Sequence, residues 1–149
     1  MVVGDNHDDY YVQSLLEMIK SKGLENVIHI QTNVQHESME QYYQMADIFV
    51  SLVENPAESF GLAVCEAMAS ELPVILSDMK FYRGHITDGK EGFFISTISS
   101  TEMDLDFDFY TGNTMIFGIK QNQSIVVDMD FFSKKIEQLL QQPLLIRQM

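Results

Sequence analysis

The sequence that decides the fold is FVSLVENPAESFGLAVCEAMASELPVILS, residues 49–77. Its apolar runs at 47–51 and 73–77 predict two buried strands. Between them the pattern predicts an irregular loop at 52–59 and then a helix entered at Phe60 and Gly61. Strand, loop, helix and strand in this order are typical of a parallel α/β layer, in which ligands bind at the carboxyl ends of the strands.

Two glutamates in this stretch indicate a binding site. Glu58 lies just before the helix, and Glu66 lies inside it among apolar residues. A helix that is apolar on most sides is expected to be buried, and a buried carboxylate needs a hydrogen-bonding partner. Because no lysine or arginine lies nearby in the sequence, we expect the partner of Glu66 to come from outside the polypeptide.

The start of the helix suggests what that partner is. Helix N-termini bind phosphate through their free N–H groups and through the helix dipole. Gly61 and Glu66 are separated by a rise of roughly 7.5 Å at about 1.5 Å per residue. A diphosphate at Gly61 would therefore leave a ribose within reach of Glu66 and a second group near Glu58.

Three motifs resemble a known enzyme family. They are ESFGLAVCE at 58–66, LPVILS at 72–77 and DGKEGF at 88–93. Together they resemble the donor-binding half of the retaining group 1 glycosyltransferases, over about two thirds of the chain, from Val2 to Ile95. The resemblance implies an α/β fold of the Rossmann-like, three-layer α/β/α type with a parallel sheet, the C-terminal half of a two-domain GT-B architecture.

The resemblance also implies a domain organisation. Residues 1–149 are expected to form one donor-binding domain, truncated at both ends and carrying an atypical insertion at about 97–124. The missing N-terminal domain would present the acceptor. In the family, a basic arginine and lysine pair upstream of this segment neutralises the diphosphate. We therefore expect the isolated chain to bind nucleotide-sugar weakly and to transfer nothing.

Residue roles follow from the same resemblance. Glu58 is the expected catalytic residue, which hydrogen-bonds the sugar hydroxyls as oxocarbenium character develops, while Glu66 grips the ribose hydroxyls. The expected donor-binding residues are Glu58, Ser59, Phe60, Gly61, Leu62 and Glu66, and further candidate phosphate or base contacts are Gly4, Asn33, Val34 and Arg83. The resemblance implies transfer of a hexose from a nucleotide-diphosphate sugar with retention of configuration. It implies no metal and no other cofactor.

The composition limits the kinds of partner that the chain is expected to bind. The 149 residues carry a formal net charge of −13, which disfavours nucleic acid and anionic membranes as partners and makes diphosphate binding awkward. No run of about 20 apolar residues predicts a membrane span. The expected location is cytoplasmic, with peripheral membrane association through the missing half left open. The single cysteine, Cys65, excludes an internal disulfide and is expected to be a small buried thiol.

Two other classes of function stay open. One is a nucleotide-sugar epimerase or a sugar phosphorylase of the same architecture. The other is a non-catalytic α/β binding module, in which Glu66 is only a satisfied core acid. Fold alone does not decide between them.

The remaining segments predict ordinary structural elements. The acidic residues at 5–9 are expected to cap a helix rather than to bind a metal. Gly23 is expected to end that helix. The pattern predicts helices at about 9–22, 38–46 and 129–142, strands at 27–30 and 93–96, a helical turn at 81–86, and a hairpin at 104–119 that turns at Gly112 and Asn113.

Overall fold

The computed structural model describes residues 1–52, 61–79, 82–99 and 125–141. The chain forms two compact units, Met1–Tyr42 and Tyr43–Met149. Parallel strands alternate with helices in both units, which confirms the predicted α/β class. Within the described ranges, no helix is long and apolar enough to cross a membrane.

The first unit is built on two parallel strands. Strand β1 (Val2–Gly4) is followed by helix α1 (Asp9–Ser21) and strand β2 (Ile30–Thr32), and Gly4 lies opposite Thr32 in the ladder. A 3₁₀ turn, His36–Ser38, leads into helix α2 (Met39–Gln44), which crosses into the second unit's residue range.

Both ends of α1 follow the sequence signals. The Asp8 side chain accepts a hydrogen bond from the Tyr11 N–H at 3.1 Å and caps the helix. Asn6 donates to the Asp9 carboxylate at 2.6 Å. Gly23 takes a left-handed φ of 66° just after the helix, a conformation that glycine adopts without strain. The capping interpretation of residues 5–9 is therefore confirmed.

Strand β2 begins later than predicted. The sequence pattern placed a strand at 27–30, whereas β2 is Ile30–Thr32. The N–H groups of Val27 and Ile28 both donate to the Leu24 carbonyl, at 3.0 and 2.9 Å. These bonds continue the turn that leaves α1, so an apolar, β-branched run forms a turn where its composition alone favours a strand.

The second unit contains a three-stranded parallel sheet in the order β3–β4–β5. The strands are Phe49–Ser51, Val74–Ser77 and Gly92–Ile95, and helix α3 (Leu62–Ala69) connects β3 to β4. All four residues of β4 are buried, as expected for the central strand of a parallel sheet. The predicted strand, helix and strand of residues 49–77 are confirmed, but β3 is not the buried strand that was expected, since Val50 is exposed and its two neighbours are half-buried.

Helix α3 is less buried than predicted. Only Val64 and Ala67 are fully buried in it, and Leu62 is strongly exposed. Cys65 is half-buried, not the enclosed thiol that was expected. The expectation of a helix covered on most sides was wrong, because apolar residues around a helix do not require a protein neighbour on every side.

The turn before β5 explains the DGKEG motif structurally. Gly89 has a left-handed φ of 79°, and a Cβ on Gly92 would lie 2.2 Å from the Val74 carbonyl oxygen. The Asp88 side chain accepts from the Phe94 N–H at 2.9 Å. Glu91 accepts from the Thr87 N–H, and that bond contributes most to lowering the pKa of Glu91. These two bonds fix the turn that leads into β5.

The chain then adds an antiparallel pair and a last helix. Strand β6 (Thr97–Ser99) pairs with β7 (Ile125–Val127), and helix α4 is Met129–Gln141, close to the predicted helix. Asp128 caps α4 by accepting from the Phe131 N–H at 2.9 Å. The hairpin predicted at 104–119 lies outside the described residues. One cluster of buried hydrophobic residues in this unit comprises Ile75, Phe93, Ile95, Val127 and Leu139.

The short helical turn predicted at 81–86 is also present. A 3₁₀ turn spans Tyr82–Gly84, and Tyr82 is one of the largest fully buried side chains. The His85 and Ile86 N–H groups both donate to the Tyr82 carbonyl. This turn places Tyr82 beneath the start of α3.

Candidate functional site

The candidate site is centred on the start of α3, where Gly61 is the N-cap residue. Gly61 is buried, with φ 71° and ψ 52° in the left-handed region. Its carbonyl accepts from the N–H groups of Val64 and Cys65 at 2.9 and 3.2 Å. The N–H groups of Leu62 and Ala63 precede these first helical bonds, and such groups are the ones that a helix offers to an anion.

A buried tyrosine fixes the position of Gly61. A Cβ built on Gly61 would lie 2.6 Å from Cε1 of Tyr82, so this glycine packs directly on the ring. The Tyr82 hydroxyl lies 3.4 Å from Oγ of Ser51, the last residue of β3. The Tyr82 side chain thus contacts both Gly61 and Ser51. The start of α3 therefore lies close to the carboxyl end of β3. This is the sheet edge at which the sequence predicted a ligand.

Glu66 has a partner within the chain. The Tyr43 hydroxyl donates to Oε2 of Glu66 at 2.9 Å, so the expectation that only a group outside the polypeptide would bind this carboxylate was wrong. Tyr43 is 6% exposed, and its ring packs against Phe49 with 6.0 Å between centroids. Glu66 itself is half-buried.

The sequence analysis did not identify Tyr43 as the partner of Glu66. The two partners are 23 residues apart, beyond the reach of any local spacing rule. One signal was present: a tyrosine on the buried side of a helix usually finds a hydrogen-bond partner for its hydroxyl. Glu66 was the nearest acid on the neighbouring apolar helix.

Tyr43 holds its proton firmly. Burial of the phenol, followed by its hydrogen bond to Glu66 and the negative charge of that carboxylate, raises the pKa of Tyr43 from 10.0 to about 12. Tyr43 is therefore a neutral hydrogen-bond donor throughout the neutral pH range.

Arg83 forms an ion pair. Its Nε and one terminal nitrogen donate to the two oxygens of Asp78, at 2.8 and 2.7 Å, just after β4. These bonds, followed by the charge of Asp78, raise the pKa of Arg83 above its ordinary value. The Arg83 side chain stays 65% exposed. A phosphate contact by Arg83 would have to share the guanidinium with Asp78.

The candidate contacts in the first unit lie at the end of its strands. The Asn33 N–H donates to the Gly4 carbonyl at 3.0 Å, so the structure brings these two residues together. Asn33 has a left-handed φ of 56°, and its side chain accepts from the Asn6 N–H. Asparagine tolerates this conformation, which otherwise favours glycine. Val34 follows and is half-buried.

Three expected donor-binding residues, Glu58, Ser59 and Phe60, lie outside the described residues. Leu62 is described and is exposed in the first turn of α3. Over the described parts of the chain, no three histidine, cysteine or acidic side chains come together as metal ligands.

Comparison with known proteins gives one family and two curated relatives. The family described as "Glycosyl transferases group 1" matches residues 1–106. The chain is 28% identical over 96 residues to the alpha-monoglucosyldiacylglycerol synthase of Acholeplasma laidlawii, covering 64% of this chain and 23% of that protein. It is 34% identical over 79 residues to the mannosylfructose-phosphate synthase of Agrobacterium fabrum, covering 51% and 17%.

The matched region spans less than a quarter of either relative's length. The family match, by contrast, covers well over half of this chain and includes the α3 start, Glu66 and the turn before β5. The chain therefore belongs to the group 1 glycosyltransferase family.

Proposed function

We propose that this chain is the C-terminal, donor-binding half of a retaining glycosyltransferase, which transfers a hexose from a nucleotide-sugar to an acceptor. The observation that carries the proposal is the buried, left-handed Gly61 at the start of α3, close to the carboxyl end of β3. A glycine there lets a phosphate approach the backbone closely. Family membership supports the glycosyl transfer itself.

The helix start would bind the diphosphate. The first N–H groups of α3 lie at the positive end of the helix dipole, and they favour the negative charge that builds on a departing diphosphate. Because Tyr82 lies against Gly61, this backbone is preorganised before the donor arrives. No side-chain cation is needed for this part of the binding, which suits a chain with a net charge of −13.

The two glutamates would bind opposite ends of the donor. Glu66, roughly 7.5 Å further along the helix axis, would accept hydrogen bonds from the two ribose hydroxyls, since a carboxylate has about four acceptor positions. Glu58 would bind hydroxyls of the sugar and stabilise it as positive charge develops at the anomeric carbon. Gly4, Asn33, Val34 and Arg83 remain candidate phosphate or base contacts.

The names of the two relatives suit a hexose donor. One synthesises a monoglucosyl lipid and the other a mannosyl sugar phosphate, so a hexosyl group is common to both names while the acceptors differ. We therefore place acceptor choice outside this chain. We also expect the 149 residues alone to bind nucleotide-sugar weakly and to transfer nothing.

The Tyr43 hydrogen bond favours a second candidate. A half-buried glutamate that already accepts from a buried tyrosine is also what a non-catalytic α/β module would contain, with Glu66 as a satisfied core acid. The two candidates differ in what Glu66 does when a nucleotide is added.

We expect Glu66→Gln to weaken binding of a nucleoside diphosphate by about tenfold, because the amide loses one acceptor for the paired hydroxyls. Titrating uridine, guanosine and adenosine diphosphates into the 149-residue chain by calorimetry or NMR measures this. Glu137→Gln is the matched control, since Glu137 is an exposed glutamate on α4 and its replacement changes the net charge equally. Equal affinities in the two variants would leave the non-catalytic module as the better description.

A further inference from the structure

The contact between Tyr43 and Glu66 joins two residues of the second unit. Tyr43 lies near the end of α2, immediately before β3, and Glu66 lies in the middle of α3. The hydroxyl-to-carboxylate distance is 2.9 Å, within the range of roughly 2.5–3.0 Å for O–H···O hydrogen bonds. The pair is too far apart in sequence to be a by-product of local helix geometry.

Tyr43 is held more firmly than Glu66. Its ring is buried and packs against Phe49, with an angle of 56° between the ring planes. A tyrosine has few rotatable bonds, whereas a glutamate has three and loses considerable rotamer freedom when it is fixed. The rigid phenol of Tyr43 therefore restrains the orientation of the more flexible Glu66 carboxylate.

We infer that Tyr43 is a positioning residue, whose hydroxyl fixes the Glu66 carboxylate in the orientation that receives the paired 2′ and 3′ hydroxyls of a nucleoside diphosphate. The inference rests on the proposed function, in which Glu66 binds the ribose. It adds a residue outside the family-like motifs of this chain, and it makes Tyr43 a determinant of ribose over 2′-deoxyribose.

The chemistry of the bond fits this role. The phenol donates to the carboxylate, so it occupies one of about four acceptor positions. Its proton stays on the phenol at neutral pH, because burial and Glu66 keep the pKa of Tyr43 high. A positioned carboxylate that accepts from both vicinal hydroxyls loses one of these bonds when the 2′ hydroxyl is absent.

The test compares ribose and 2′-deoxyribose nucleoside diphosphates in the Tyr43→Phe variant of the full 149-residue chain. Phenylalanine keeps the ring that packs on Phe49 and removes only the hydroxyl. We expect the ratio of ribose to deoxyribose affinity to fall by about fivefold in Tyr43→Phe, while the deoxyribose affinity changes little. A purely structural role of the hydroxyl would weaken both nucleotides alike and leave the ratio unchanged.

Tyr42→Phe is the matched control. Tyr42 is the adjacent tyrosine of α2 and is half-buried, so its variant removes an equivalent hydroxyl without touching Glu66. The ratio in Tyr42→Phe should equal that of the unmodified chain. A ratio in Tyr43→Phe that matches Tyr42→Phe overturns the inference.

Two further measurements separate this inference from the proposed function. If Glu66→Gln weakens nucleotide binding while Tyr43→Phe keeps the full ribose preference, the ribose contact stands and only the role of Tyr43 fails. If Glu66→Gln has no effect either, the proposed function fails as well. Should Tyr43→Phe not fold, the ring resonances of Tyr43 in the unmodified chain decide: a larger shift with the ribose nucleotide supports the inference, and equal shifts overturn it.

Discussion

At the scale of single residues, Tyr43 links stability to pH. Its phenol is buried and hydrogen-bonded to a carboxylate, and a phenolate there would be desolvated and would lie against a second negative charge. Both effects disfavour the ionised form in the folded chain alone. The unfolded chain has neither, so its tyrosine ionises at the ordinary value.

We expect this difference to destabilise the fold at alkaline pH. The pKa of Tyr43 is raised from 10.0 to about 12, so its contribution is fully present below pH 10 and is lost as pH rises from 10 to 12. The loss is about 2–3 kcal/mol for this group. Denaturant unfolding at about pH 9 and about pH 12 measures it.

Other tyrosines and the lysines also titrate in this range, so Tyr43→Phe provides the reference. The fall in stability between the two pH values should be smaller by about 2–3 kcal/mol in Tyr43→Phe than in the unmodified chain. Equal falls in the two proteins would show that Tyr43 ionises as readily in the folded state as in the unfolded one.

Tyr43 also shows what local sequence patterns could not predict. Glu66 was recognised as significant from its apolar setting, and the need for a partner was inferred correctly from the desolvation of a carboxylate. The identity of that partner depended on tertiary packing between α2 and α3, which no spacing within residues 49–77 encodes. Asn33 is a similar case, since its left-handed φ follows from the turn after β2 and not from its side chain alone.

At the scale of elements, the start of α3 depends on Gly61. Two separate effects require glycine there: a left-handed φ of 71° and the Tyr82 ring 2.6 Å from any added Cβ. Gly89 shares the first effect, with φ 79°, but a Cβ there meets nothing within 4 Å. The two glycines form a matched pair in which only the close packing differs.

We expect Gly89→Ala to destabilise the chain by about 1–2 kcal/mol, the left-handed penalty for an ordinary residue. Gly61→Ala should be worse by a further 1–3 kcal/mol or so, because the methyl group overpacks against a fully buried ring. Denaturant unfolding of both variants measures the difference. Equal losses would mean that Tyr82 moves aside without penalty and does not preorganise the helix start.

Elements with strong patterns were predicted well from the sequence. Apolar residues at helical spacing predicted α1 and α4 within a residue or two, and the apolar run at 73–77 predicted the buried strand β4. The sequence pattern placed β2 too early. Its predicted first residues form turn hydrogen bonds to Leu24 instead. Backbone bonding in a tight turn outweighed β-propensity at Val27 and Ile28.

At the scale of the whole molecule, the sequence predicted the fold class and the net charge but not the division of the chain into two units. The parallel strands and intervening helices follow from the sequence pattern. A single domain with an insertion at about 97–124 stays a prediction, and the described chain forms two compact units. Long-range packing between segments decides such divisions, and it leaves no periodic signal in the sequence.

The charge of the whole chain also shapes the expected binding. With a net charge of −13, the chain repels a nucleoside diphosphate at long range, and Arg83 is already paired with Asp78. Under the proposed function, binding would come from local backbone dipoles at the α3 start and from hydroxyl contacts to carboxylates. We therefore expect weak nucleotide binding that is confined to the start of α3 and to Glu66.

NMR titration of the 149-residue chain with uridine, guanosine and adenosine diphosphates tests that location directly. At least one of the three should shift the backbone amides of Gly61, Leu62 and Ala63 and those around Glu66, because these groups would face the diphosphate and the ribose. The amides of α4, Met129–Gln141, should stay unchanged. If none of the three nucleotides shifts the amides at the start of α3, the chain does not bind a nucleotide-sugar through Gly61, and the donor-binding account is contradicted.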